Sequence, residues 1–187
     1  MSHIVDTQVL LNDLFSLADK YNVRSVADEI LADWRFPRWP GSATPIHHHC
    51  RRGGLIEHTH EVVHLCLANN ELFPEHKRLP ADRVFLAALF HDIGKIYDYG
   101  PVDENYDTWI NLEHKKNIHH ISRSALIWHK ASERLLSIEV FDDVLHAILA
   151  HHGCREWGSP VTPNSKLAWL LHLCDSLSAR FDDVGIH

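Results

Sequence analysis

The sequence lacks the marks of several protein classes. No uninterrupted apolar run approaches the ~20 residues that a membrane-spanning helix needs. The opening MSHIVDTQVLLNDLF carries early acids where a secretory signal would place a basic and then an apolar segment, so a cytoplasmic protein with no membrane partner is expected. No CxxC pair occurs: Cys50, Cys66, Cys154 and Cys174 are widely spaced, nothing suggests a disulfide framework, and buried thiols are expected. A basic excess is missing too. The formal charge of −7 argues against a broad surface for gripping duplex nucleic acid, while leaving a local basic site open. Internal repeats, low-complexity tracts and convincing strand alternation are also absent.

What is present is an ordinary globular composition, 45% hydrophobic and 23% charged, in a chain of 187 residues, enough for one sizeable core. Helical spacing dominates. Val5, Val9, Leu10, Leu14, Leu17 and Ala18 form one stripe, and Ser25 is placed to cap a second helix running to about Trp34. Residues 36–46 hold three prolines and a glycine and read as loop. Further helices are expected over residues 55–70, 81–92, 117–133, 140–152 and 165–180. The stretch 96–111 reads as a loop with a short extended piece at 107–111. Trp128 and Trp169 fall at core spacing and are expected to serve packing.

The outlying number is 18 histidines. His58 shares a helical face with Leu55, Val62 and Leu65 and so points inward, where an imidazole needs a partner. His91 and Asp92 follow the apolar helix RVFLAALF, and Gly94 is expected to end that helix. His151 and His152 close another apolar helix, VLHAILAHH. Asp175 lies within LAWLLHLCDSL, where an unpaired carboxylate would be costly. A cation removes the cost, because it favours carboxylate and neutral imidazole together.

In that order His58, His91-Asp92 and Asp175 match the H…HD…D pattern, and the chain here resembles the HD superfamily of metal-dependent phosphohydrolases over roughly residues 47–180. The blocks HHHCRRGGLIEHT, LFHDIGK, HHISRS, LAHHGCREWGSP and LHLCDSLSAR are more narrowly similar to the HD domain of the YhaM-type 3′-to-5′ exoribonucleases. The resemblance implies an all-α, single HD-domain helical bundle around a metal site. Residues 1–46 would be a helical lead-in to the same domain and 47–187 the HD core. It further implies that His58, His91, Asp92 and Asp175 hold one metal, and that Asp92 bridges to a second held by His120 and His151. His119 and His152 remain as additional ligands or as partners that orient the ligands. In the family a glycine usually precedes the histidine of the third block, where this chain has His119.

One or two divalent transition metals (Mn, Fe, Ni, Co or Zn) are therefore expected as cofactors. Asp92 and Lys95 are the expected catalytic residues, Lys95 by neutralising a phosphate oxygen. For substrate contact the candidates are His48, His49, Arg51, Arg52, Arg123, Glu156 and Ser159. The expected function is phosphate-ester hydrolysis by metal-activated water on nucleotides or on nucleic-acid 3′ ends, in an exonuclease-like manner. The partner would be a phosphorylated substrate, a nucleotide or a single-stranded nucleic acid. A mixed-valent di-iron HD-type oxygenase and a nucleotide- or nucleic-acid-binding module are the alternatives.

Overall fold

Asp6 stops the chain from fraying at its first helix: its side chain accepts the Gln8 N–H and caps α1 (Thr7–Lys20), which buries Leu14 and Ala18. The computed structural model describes residues 6–43, 49–103, 105 and 108–181. Helix α2 (Arg24–Leu31) starts after Val23, with no side-chain cap. Ser25 therefore lies inside the helix and caps nothing, and the helix stops short of Trp34. Then come α3 (Gly54–Glu71) and α4 (Ala81–Phe90), followed by a tight turn through His91 to Gly94.

The stretch expected as loop is ordered more regularly than its polar composition suggests. It forms α5 (Lys95–Asp98) and a hairpin of β1 (Tyr99–Pro101) and β2 (Trp109–Asn111), antiparallel with Tyr99 opposite Asn111. The helix expected over 117–133 begins three residues later, as α7 (His120–Ser132), and is preceded by a separate short helix, α6 (Glu113–Asn117). The break falls at His119, whose φ of 69° no α-helix accommodates. Helix α8 (Ile138–Ala150) is capped by the Ser137 hydroxyl, and α9 (Lys166–Phe181) completes the described chain.

Helix α4 occupies the centre, every residue from Val84 to Phe90 being buried. It packs against α3, α8 and α9. A helix apolar on all sides is stable only when surrounded, and this sets the positions of its neighbours. Helices α1 and α2 join the same buried cluster through Leu14, Ala18, Val26 and Ile30. Trp128 is fully buried and meets Phe90 edge-on at 5.1 Å. Trp169 is 52% exposed, contrary to its expected packing role, because its position on α9 faces outward. Of the four cysteines only Cys66 and Cys174 are buried; Cys50 and Cys154 sit in partly exposed loop segments. Among the described residues no helix is long and apolar enough to cross a membrane.

Candidate metal centre

Five imidazoles converge below one mouth of the bundle, and each is held by its Nδ1 atom. The His91 Nδ1–H donates to the Ala88 carbonyl at 2.7 Å and the His151 Nδ1–H to the Ile148 carbonyl at 2.7 Å. The His152 Nδ1–H donates to the Trp157 carbonyl at 2.7 Å. A carbonyl only accepts, so Nδ1 carries the proton in all three rings. His58 Nδ1 lies 3.0 Å from Ser178 Oγ, whose own hydrogen goes to Glu61 at 2.8 Å, so His58 is again the donor at Nδ1. His120 Nδ1 lies 3.1 Å from Asp98 Oδ2. The Nε2 atoms of His58, His91, His120 and His151 are thereby turned towards two carboxylates, and that of His152 towards His120.

Asp92 stands between two sets of donors. Its Oδ2 is 3.4 Å from the Nε2 of both His58 and His91, while Asp175 Oδ1 is 3.0 and 3.6 Å from the same two nitrogens. Its Oδ1 faces the other way, 3.5 Å from the Nε2 of both His120 and His151. His152 Nε2 is 3.4 Å from that of His120. Two ligands of one tetrahedral ion, each ~2.1 Å from it, stand ~3.4 Å apart, so both sets have the spacing of atoms that share a cation. Asp92 Oδ1 and His151 Nε2 are buried and make no hydrogen bond. Orphaned buried polar atoms of this kind are costly, and a divalent ion between them is the partner their chemistry fits.

The protonation of the two halves differs. Burial pulls the His91 pKa down, but the Asp92 charge and the Asp175 hydrogen bond overcome it and push it up to about 10. Burial pushes the Asp92 carboxyl up, and the charges of Lys95 and His91 outweigh it and hold the group well below the usual carboxylate range. In the other half burial dominates: it brings His120 down to about 3 and His152 to about 4, so both rings are neutral and ligand-ready.

Local structure explains the convergence. His91 and Asp92 lie in the turn after α4, and His151 in the equivalent position after α8, so each apolar helix ends on its donor. Gly94 does not end α4, which stops at Phe90, and its φ of −59° is right-handed. It is needed because a Cβ there would stand 2.1 Å from the His120 carbonyl oxygen, so only glycine lets the start of α7 abut the turn. The residue that sequence reading missed is Asp98. Fully buried, it accepts from the backbone N–H and ring of His120 and from His114 Nδ1 at 2.7 Å. An acid in the apolar-aromatic IYDYG run was the available signal.

Several substrate-contact candidates are placed otherwise. Arg51 pairs with both oxygens of Glu57 at 2.7 Å, and neither Arg51 nor Arg52 lines the cavity over the site. Arg123 donates to His114 Nε2 at 3.0 Å and lies over the Tyr97 ring, so it braces the His114–Asp98–His120 chain from behind. Ser159 is buried and donates to the Leu149 carbonyl, holding its loop; Glu156 is exposed outside the cavity. His119 stacks on His120 at 4.1 Å but belongs to neither donor set. His48 lies outside the described residues. His49 does reach the cavity, a space of about 710 Å³ that also takes in Lys95, Tyr99, Lys115, Trp157 and Arg180. Lys95 Nζ is 2.5 Å from Asp92 Oδ2.

The profile of the HD domain matches residues 55–180. The chain belongs to the HD-domain family. Among curated proteins, the HD chain is similar to the 3′-5′ exoribonuclease YhaM of Bacillus pumilus, 32% identical over 165 residues that make up 86% of this chain and 49% of that enzyme. It is likewise similar to the YhaM of Bacillus subtilis, 35% identical over 137 residues, 72% of this chain and 41% of that enzyme. This HD chain thus spans about half the length of the curated relatives it matches. No solved structure matches it.

Proposed function

We propose that the chain is a metal-dependent phosphohydrolase that cleaves phosphate ester bonds of nucleotides or of nucleic-acid 3′ ends. The observation that carries the reading is the placement of Asp92, whose two oxygens face two separate sets of Nδ1-anchored imidazoles. His58, His91, Asp92 and Asp175 would hold one divalent transition ion, and Asp92, His120 and His151 a second, with His152 as a further donor. Such ions supply a nucleophile at neutral pH and offset charge on phosphoryl oxygens. The protein's own part is positional and electrostatic. The Nδ1 hydrogen bonds fix each ring before any ion arrives, which spares reorganisation. Lys95 brings a cation to the cavity wall beside Asp92, where negative charge develops on the equatorial oxygens. Further out, Lys115 and Arg180 offer cations for flanking phosphates, and the exposed Trp157, beside Arg180 at 5.3 Å, an aromatic face for a base. The similarity to the exoribonucleases supports a nucleic-acid 3′ end as substrate.

The test is turnover of a chromogenic phosphodiester, nucleotides, and short RNA and DNA strands in Mn, with and without chelator. The expected result is hydrolysis that chelation removes and Mn restores. Dioxygen consumption with iron and no hydrolysis would instead mark the oxygenase alternative, and nucleotide or strand binding without turnover a binding module.

A further inference from the structure

A second donor set lies on the far side of α3. His60 is two residues beyond His58, ~200° around the helix, so while His58 turns to the centre, His60 faces α1; His64 follows one turn later. Their Nε2 atoms lie 3.0 and 2.7 Å from a single oxygen, Oδ2 of Asp13 on α1, and the two rings are 4.3 Å apart. We propose that Asp13, His60 and His64 form a peripheral divalent transition-metal site, best suited to zinc, that staples α1 to α3.

The donor set argues for the class of ion. Two imidazoles and a carboxylate suit zinc and its d-block neighbours, whereas magnesium and calcium take oxygen ligands. Histidines at i and i+4 share a helix face and can reach one ion. To pass from hydrogen-bonded to tetrahedral ligand spacing, the Asp13 oxygen and the two nitrogens need separate by only roughly 0.4–0.7 Å. Proton balance is simple. An ionised carboxylate only accepts, so each neutral ring carries its proton on Nε2 while it donates to Asp13; on binding, that proton moves to Nδ1 and Nε2 gives its lone pair to the ion. The site is open to solvent through His64 and Asp13, whose side chains are 48% and 41% exposed, so an ion can enter and keep a water as its fourth ligand. Helices α1 and α3 already pack together, and the ion would tie residues 47 and 51 positions apart. A cross-link bound only by the folded chain stabilises it by mass action.

The test is zinc content of the full chain after dialysis, together with amide exchange of α1, for the wild type, His64→Ala and Asp13→Asn. The expected result is one zinc fewer per chain in each variant, zinc-dependent slowing of α1 exchange in the wild type alone, and unchanged Mn-dependent phosphodiester turnover in His64→Ala. Equal zinc content in wild type and His64→Ala, or wild-type α1 exchange indifferent to zinc, would overturn the proposal. Should Asp13→Asn fold poorly, the exposed His64→Ala carries the comparison alone.

Discussion

Asp98 shows how much of a site can rest on a residue that never meets the reacting atoms. Its carboxylate fixes the His120 ring, and groups that orient a metal ligand are typically worth ~10–100-fold in metal affinity. Asp98→Ala is therefore expected to weaken binding of one ion by about that factor, measured by titration with Mn, while binding at the His58–His91–Asp175 side is kept. Lys95→Ala is expected to retain metal and lose turnover about 100-fold, since it acts on transition-state charge; normal turnover would reduce Lys95 to a partner of Asp92. The pKa pattern gives a third outcome. His120 and His152, held near 3 and 4, contribute stability that is fully present above about pH 6.5 and lost as pH falls towards those values. His91, raised to about 10 in the ion-free protein, has the opposite sign: its contribution is complete below about pH 6.5 and lost as pH rises through about 10. Thermal melts of chelated protein should thus fall on both sides of neutrality, and Mn should remove the alkaline loss, because the ion replaces the His91 proton.

At the level of elements, two short connections set the site. His119 adopts φ 69° and ψ 146°, a region that costs a non-glycine residue ~1–3 kcal/mol. The family usually carries glycine there, and the geometry supplies the reason. His119→Gly is expected to raise stability by about 1 kcal/mol after glycine's own entropic cost, a shift of ~2–4 °C in Tm for a chain of this size, with metal content unchanged. Loss of an ion in that variant would instead make His119 a ligand. Gly94→Ala is expected to cost ~1–3 kcal/mol by overpacking against the His120 carbonyl and to lower occupancy on the His120 side, read by melting and metal analysis. These connections also mark where sequence reading stopped. The long helices and their inward donors were legible, because apolar periodicity fixes which face of α3, α4, α8 and α9 is buried. The break at His119, the first hairpin strand at 99–101 and the outward turn of Trp169 were not, since each depends on tertiary contacts that composition does not encode, whereas the second strand falls within the extended piece expected at 107–111. Arg51 and Arg123 were misplaced for a related reason: charge in a motif block says nothing of the carboxylate or imidazole that has already claimed it.

Across the whole molecule, an apolar helix buried on every side is ringed by elements that bring two carboxylates and five anchored imidazoles together, with His58, Asp92, His120, His152 and Asp175 lining the cavity above them. On this reading the cluster holds two divalent ions joined by Asp92. The decisive measurement is anomalous scattering from crystals grown with Mn. Two peaks are expected in the cluster, one beside Asp92 Oδ2 among His58, His91 and Asp175, the other beside Asp92 Oδ1 among His120 and His151. A single peak, or none within reach of Asp92, would contradict it.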